Sequence, residues 1–228
     1  MEYDIIKRGI FIDRPNRFIA HVEIDGREET VHVKNTGRCR ELLRPGARVI
    51  LEEGKGRRKT RYSLVAVYKG ENLVNMDSQA PNAAALEAVS KGMIPEIGVP
   101  DVIKREKRFG SSRFDIYYEK NGKKGFVEVK GVTLEYDGLA MFPDAPTIRG
   151  ARHLRELAEA VKEGFEAWAL FVVQMKNIHS FRANREMDPD FSDALEEAVE
   201  GGVGVLIYDC IVEERGMKLD KKIPSSGE

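Results

Sequence analysis

The segment 113–130 constrains the fold most, because it has the pattern of two β-strands joined by a two-residue turn. Asn121-Gly122 is the pair most typical of a type I′ hairpin. In the register that this loop imposes, Asp115 faces Glu128 across the two strands. The sequence therefore predicts a hairpin that places two carboxylates directly opposite each other.

The two faces of this hairpin differ in chemistry. The predicted core face is apolar and comprises Phe114, Ile116, Tyr118, Val127 and Val129. The opposite face is charged and comprises Arg113, Asp115, Glu128 and Lys130. Facing side chains lie about 5 Å apart at Cβ, and like charges there are destabilising. Mg²⁺, which uses one or two protein carboxylates with water and phosphate oxygens, would offset that repulsion, and Mn²⁺ is the alternative.

Lys130 lies two residues beyond Glu128 on the same face, where an ammonium can orient a metal-bound water or offset charge on a phosphate. The backbone carbonyl of Val129 is a further candidate ligand. The residues leave a second interpretation open, in which the charged face is an exposed surface ladder and Lys130 pairs diagonally with Asp115. The hairpin alone does not decide between a metal site and such a ladder.

Two domains are predicted, comprising residues 1–80 and 81–228. Residues 1–80 contain five or six short β-rich runs separated by turns, which favours a small OB-like β-barrel. Residues 81–228 follow the order αβββαβαβ, with Asn82 as a candidate helix cap, and predict a mixed sheet with flanking helices. The fold class is α+β or α/β. We expect the polar tail from Gly216 to be frayed.

Basic residues are concentrated in the first domain. Residues 1–80 carry 16 basic and 12 acidic side chains. Ten basic residues fall within residues 34–61, here called the basic stripe: Lys34, Arg38, Arg40, Arg44, Arg48, Lys55, Arg57, Arg58, Lys59 and Arg61. Such a stripe can neutralise DNA phosphates, although a solvated arginine-rich surface explains it equally well.

Composition excludes several classes. Hydrophobic content of 42% argues against a disordered chain, and two distant cysteines argue against a disulfide framework. Residues 1–24 lack a signal-peptide core and no run is long enough to span a membrane, so we expect a cytoplasmic protein without a membrane partner. Charged residues reach 33% and glutamine occurs only at Gln79 and Gln174, a pattern typical of heat-adapted proteins.

Asp115 and Glu128-Val129-Lys130, following a helix that carries Glu87, resemble the PD-(D/E)XK restriction-endonuclease-like nucleases. Longer strings resemble the sugar fermentation stimulation protein A family over nearly the whole chain. They are Asn35-Thr36-Gly37-Arg38, Gly110-Ser111-Ser112-Arg113-Phe114-Asp115, Val127-Glu128-Val129-Lys130-Gly131-Val132-Thr133-Leu134, Met141-Phe142-Pro143-Asp144-Ala145-Pro146-Thr147, and Arg149-Gly150-Ala151-Arg152-His153-Leu154-Arg155-Glu156-Leu157.

The resemblance implies an OB-like domain, a nuclease-like domain and DNA as the partner. Position by position, it implies that Asp115, Glu128 and Glu87 hold a metal ion and that Lys130 lies beside the attacking water. The residues expected to contact DNA are Arg38, Arg40, Arg57, Arg58, Lys59, Arg61, Arg149 and Arg152. His153 fits a structural partner better than a metal ligand, since no second histidine is near it in sequence. Glu87 is explained equally well as an ordinary residue on the helix surface and as a metal ligand.

Two functions are therefore expected. The first is Mg²⁺-dependent cleavage of DNA by an endonuclease of the PD-(D/E)XK type. The second is a non-catalytic DNA-binding regulator of sugar (maltose) metabolism, a role that only the resemblance implies. The complete acid–acid–lysine set favours the first function chemically.

Overall fold

The structure is a computed structural model, and it describes residues 1–35, 37, 39–55 and 59–226. The first part of the described chain forms six strands: β1 (Ile6–Asn16), β2 (Ile19–Ile24), β3 (Arg27–Val33), β4 (Arg48–Glu53), β5 (Tyr62–Lys69) and β6 (Asn72–Asn75). Strand β1 pairs with β2 and β4, β2 pairs with β3, and β4 pairs with β5, all antiparallel.

A short parallel pairing between β3 and β5 closes strands β1–β5 into a five-stranded barrel. Strand β6 extends it beside β5. Apolar side chains fill the interior, among them Phe11, Val22, Val31, Leu51 and Leu64. The ring order β1-β2-β3-β5-β4 confirms the predicted OB-like barrel.

The second part of the described chain alternates strands with three helices. The elements are α1 (Ala80–Ser90), β7 (Val102–Phe109), β8 (Ser112–Lys120), β9 (Lys123–Val132), β10 (Leu134–Tyr136), β11 (Leu139–Phe142), α2 (Ile148–Lys162), β12 (Glu166–Val173), β13 (Ser180–Ala183), α3 (Pro189–Glu200), β14 (Gly204–Glu213) and β15 (Gly216–Lys222). Six strands form one sheet in the order β15-β14-β12-β9-β8-β7, and β10, β11 and β13 form a smaller one. Strand β12 runs parallel to β9 and β14, whereas the other pairs of the large sheet are antiparallel.

The helices cover both faces of the large sheet. Alanines of α1, including Ala84 and Ala88, pack with Ile116 and Val127 on one face. Leu154 and other apolar residues of α2 pack against the opposite face, and α3 packs on α2. The predicted mixed sheet with flanking helices is confirmed. Within the described residues, no helix combines the length and the apolarity needed to cross a bilayer.

The hairpin formed by β8 and β9 has the predicted register. Asn121 and Gly122 form the turn with φ values of 49° and 79°, as a type I′ turn requires. Lys120 pairs with Lys123, and the ladder continues to Ile116 opposite Val127. The next step along the two strands brings Asp115 and Glu128 to the same end of the ladder.

Phe114 lies on the other face of the sheet from the one predicted. Its ring packs 5.2 Å from that of Phe126 and 6.1 Å from that of His153, on the side covered by α2. The register of β8 with β9 ends before Asp115, and the register of β7 with β8 skips Asp115 and Glu106. Side chains no longer alternate strictly between the two faces of the sheet at this irregularity. Phe114 and Ile116 therefore lie on opposite faces.

The described part of the tail, residues 216–226, is ordered, contrary to the prediction. It forms β15 and pairs antiparallel with β14. Met217 and Leu219 are buried and alternate with exposed Lys218 and Asp220. The alternation with period two stabilises this edge strand despite its polar composition.

A buried polar contact joins the barrel to the large sheet. Gln174, which directly follows β12, donates from Nε2 to the carbonyl and to Oδ1 of Asn75, both at 3.0 Å. The backbone N–H of Asn75 donates to the carbonyl of Gln174 at 2.9 Å, and the N–H of Gln174 donates to that of Val132. The end of β6 is therefore tied to the ends of β12 and β9.

Candidate metal centre

Asp115 lies where the ladder between β8 and β9 ends, and both of its carboxylate oxygens are held. Oδ2 accepts a hydrogen bond from the backbone N–H of Val129 at 2.8 Å, and Oδ1 accepts one from Nδ2 of Asn82 at 2.7 Å. Asn82 does not cap α1 as predicted, because the helix begins at Ala80 and places Asn82 in its first turn. Strand and helix together fix this acidic group.

Glu128 is buried on β9, with 3% of its surface exposed, and its two oxygens differ in their contacts. Oε1 accepts hydrogen bonds from Nζ of Lys130 at 2.7 Å and from Nδ1 of His153. Oε2 is buried and has no hydrogen-bond partner among the described residues. A buried carboxylate oxygen without a partner is costly, and coordination of a cation would satisfy it.

The two carboxyl groups differ in how readily they ionise. Burial, followed by the nearby charge of Glu128, raises the pKa of Asp115 from 3.8 to about 6. Burial opposes the ionisation of Glu128 as well, but the hydrogen bond from His153 and the charge of Lys130 hold its pKa below the usual value. The centre thus contains one stable carboxylate and one whose ionisation a cation would favour.

Lys130 follows Glu128 by two positions, and its side chain is only 12% exposed. Its ammonium pairs with Glu128 on its own strand, so the diagonal pairing with Asp115 is not what the structure shows. Because both partners are largely buried, this face is not a solvated surface ladder. The structure brings together three of the four predicted catalytic residues, namely Asp115, Glu128 and Lys130.

The amino-terminal end of α2 lies next to these residues. Thr147 caps the helix, since its hydroxyl oxygen accepts a hydrogen bond from the N–H of Gly150 at 3.0 Å. Arg149 and Arg152, both predicted to contact DNA, are exposed on this helix. Nε of Arg149 donates to Nε2 of His153 at 3.3 Å, which connects Arg149 to Glu128 through the imidazole.

Glu87 does not join the centre, contrary to the expectation from the resemblance. Its carboxylate pairs with the amino group of Met1 at 2.6 Å and with Nζ of Lys91 at 2.5 Å. Glu87 follows Asn82 by five positions, which rotates it by roughly 140° around the helix. Since Asn82 faces Asp115, Glu87 faces away from it.

Replacing Glu87 by Gln is therefore expected to leave the affinity for divalent cations unchanged. The substitution removes a charge from α1 but none from the pair formed by Asp115 and Glu128. Calorimetric titration of the variant with Mn²⁺, beside the unchanged protein, measures this. A large loss of affinity for Mn²⁺ would instead show that Glu87 is a metal ligand.

The centre offers two carboxylates, a number that suits Mg²⁺ or Mn²⁺ with water and phosphate oxygens as the remaining ligands. Among the described residues, no group of three or more His, Cys, Asp and Glu side chains is placed to hold a metal ion. His153 is not available as a ligand, because both of its ring nitrogens have contacts within the protein. The sequence did not reveal that His153 and Asn82 hold the two carboxylates.

The described residues of the basic stripe do not form one continuous patch of unpaired charge. Arg38, Arg57 and Arg58 lie outside the described residues. Several other members have acidic partners, as the ion pairs Lys34–Glu52, Arg48–Glu71, Lys55–Asp4 and Arg61–Glu53 show. Arg40 and Lys59 are exposed. Contact of this surface with DNA stays a prediction.

A five-stranded OB-like barrel followed by a restriction-endonuclease-like sheet with an acid–acid–lysine set defines a class of proteins with a nuclease-like second domain. The family model described as "Sugar fermentation stimulation protein RE domain" matches residues 79–216, and that described as "SfsA N-terminal OB domain" matches residues 12–76. The chain belongs to the sugar fermentation stimulation protein A (SfsA) family.

Relatives and a solved structure agree with this assignment. The sugar fermentation stimulation protein homolog of Alkaliphilus oremlandii is 56% identical over 98% of this chain and 97% of its own length. That of Desulfitobacterium hafniense is 54% identical over 94% and 93%. The structure of Pyrococcus furiosus SfsA in complex with Ca²⁺ is similar with a TM-score of 0.91 at 31% identity, covering 99% of this chain and 98% of that one.

Proposed function

We propose that this protein binds DNA and hydrolyses its phosphodiester bonds with Mg²⁺ or Mn²⁺ held by Asp115 and Glu128. The observation that carries the proposal is Oε2 of Glu128, a buried carboxylate oxygen without a hydrogen-bond partner in the described chain, beside a second carboxylate. The similar structure of Pyrococcus furiosus SfsA in complex with Ca²⁺ supports a divalent cation as the ligand.

Each residue of the centre has a role in this proposal. When bound, the cation supplies Lewis-acid stabilisation and a more acidic water. Asp115 and Glu128 hold it at the end of the hairpin, where Asn82 and His153 fix their orientations. Lys130 positions the attacking water and offsets the negative charge that develops on the phosphate.

The proposed path for DNA is a groove that joins the barrel to the loop before α2. Its volume is about 630 Å³, and its lining includes Arg17, Arg40, Phe11 and Ala145. Arg17 and Arg40 are exposed and basic. Ala145 lies two residues before Thr147, so the groove leads toward the helix end that presents Arg149. This arrangement supports phosphate contacts on the barrel beside the metal centre.

Replacing Arg17 and Arg40 together by Ala is expected to weaken binding of all DNA sequences alike. Affinity should also depend less steeply on salt. The magnitude of the slope of log affinity against log salt concentration should decrease by about 2, since each lost phosphate contact reduces it by about 1. Fluorescence anisotropy at several salt concentrations measures the slope. The matched control is the double replacement of Arg48 and Arg61, which have the same charge but pair with Glu71 and Glu53. Equal losses in both variants would argue against the groove.

Affinity for the cation is expected to depend on pH below about 6, where Asp115 retains its proton. Protons compete with the cation in this range, so affinity should rise by up to about tenfold per pH unit until it levels off above the pKa. Titrations with Mn²⁺ from pH 5 to pH 8 test this, and Asp115→Asn should abolish the dependence along with the binding. Constant affinity across the range would contradict the assignment of Asp115.

The function is tested by incubating the purified protein with supercoiled plasmid and with single-stranded DNA, in Mg²⁺, in Mn²⁺ and in chelator. Cleavage that requires the metal and is lost in Asp115→Asn is the expected result. Cleavage in chelator, or the same activity in the Asp115→Asn variant, would overturn the proposal at this site.

The second candidate function is a DNA-binding regulator of sugar metabolism that does not cleave. The names of the relatives, which refer to sugar fermentation, favour it. It predicts metal-independent binding of DNA through the barrel and no products in any of the incubations. The same experiment therefore separates the two functions.

A further inference from the structure

His153 is a buried imidazole on α2, with 2% of its surface exposed, and it connects two charged groups. One ring nitrogen, Nδ1, contacts Oε1 of Glu128. The other, Nε2, lies 3.3 Å from Nε of Arg149. The positions of Asp115 and Glu128 are set by strands β8 and β9, so neither position depends on the contact with His153.

The two contacts define which ring nitrogen carries hydrogen. A guanidinium can only donate hydrogen bonds, so Nε2 of His153 accepts from Arg149. The hydrogen of the imidazole is then on Nδ1, from which it is donated to Oε1 of Glu128. Arg149 thus selects the tautomer that Glu128 requires.

This donation determines the orientation of the Glu128 carboxylate. His153 and Lys130 both contact Oε1, so Oε2 is the oxygen left without a partner among the described residues. Lys130 has a flexible side chain, and the proposed function requires its ammonium at the water or the phosphate. The imidazole, by contrast, is fixed by α2 and by edge-on packing against Phe114 at 6.1 Å and 82°.

We propose that His153 is a positioning residue that holds Oε1 of Glu128 and thereby directs Oε2 toward the cation. The proposal rests on the proposed function, because it presupposes that Glu128 is a metal ligand. His153 maintains this orientation when Lys130 moves toward the reacting phosphate. Donors in the outer shell of a metal site commonly contribute 10–100-fold to metal affinity.

The test compares His153→Asn with His153→Gln in the full-length protein without DNA. The amide nitrogen of Asn reaches the position of Nδ1, whereas that of Gln reaches the position of Nε2. Both side chains are polar and similar in size, so a general packing defect affects them alike. Thermal unfolding in chelator verifies that each variant is folded, and calorimetric titration with Mn²⁺ measures affinity.

We expect Asn to retain an affinity within a few-fold of the unchanged protein, and Gln to lose about 10–100-fold. Equal affinities of the two variants, whether high or low, would overturn the positioning role while leaving the metal site intact. If the unchanged protein itself bound no Mn²⁺, the proposed function would fail, and the role of His153 would fail with it.

Discussion

Replacing Lys130 by Ala is expected to lower the rate of DNA cleavage by about 10²–10³-fold, the usual loss for one electrostatic group at a reacting centre. The ammonium acts mainly in the transition state, when charge develops on the phosphate, so affinity for DNA should change little. Single-turnover cleavage and equilibrium binding of the same DNA, both measured with Mg²⁺, provide the two quantities.

The matched control is Lys123→Ala, which removes an exposed lysine from the same hairpin, far along the ladder from Glu128. Its cleavage rate should equal that of the unchanged protein. If the Lys130→Ala variant also cleaved at the full rate in Mg²⁺, Lys130 would have no part in the chemistry. A loss of rate that merely followed a loss of DNA affinity would assign Lys130 to binding.

Replacing Asp115 by Asn is expected to abolish stabilisation of the fold by Mn²⁺. A ligand present at 100 times its dissociation constant raises the free energy of unfolding by about 2.7 kcal/mol, and this gain should disappear in the variant. Thermal unfolding with and without Mn²⁺ measures it. Without metal, stability should hold or rise at neutral pH, because the variant no longer places a second charge beside Glu128.

The dependence on pH gives this prediction a defined sign. The folded-state pKa of Asp115, about 6, lies above its ordinary value of 3.8, so the folded protein binds the proton more tightly than the unfolded chain does. The stability that this proton contributes is complete below pH 3.8 and is lost as the pH rises through 6. The Asp115→Asn variant should lack this loss. Metal-induced stabilisation that survived the substitution would place the cation elsewhere.

The sequence predicted the meeting of Asp115 and Glu128 as far as local rules reach. Asn121-Gly122 determined the turn, the turn determined the register, and the register brought Asp115 to the same end of the hairpin as Glu128. His153 could not be assigned in this way, because 25 residues separate it from Glu128 and its contact depends on how α2 packs on the sheet. Tertiary packing of that kind has no signal in local sequence.

The fold was predicted in outline, and the errors have physical causes. Strand β15 was missed because its polar composition concealed the alternation of buried Met217 and Leu219. The strands β10, β11 and β13 are three or four residues long, too short for periodicity to identify them. The family position of Glu87 predicted a place in the centre, but Glu87 faces away from Asp115 on α1, whereas Asn82 faces it.

The hydrogen bonds between Gln174 and Asn75 have a mechanical consequence. Both residues are buried, so a hinge motion of the barrel would leave amide groups without partners, at a cost of about 1–3 kcal/mol for each group. These hydrogen bonds therefore oppose a hinge motion between the barrel and the sheet, and they favour a fixed spacing between the groove and the hairpin end. If DNA binds across the groove and the hairpin end as proposed, this spacing would determine the length of backbone between the phosphates bound at the barrel and the phosphate at the metal site.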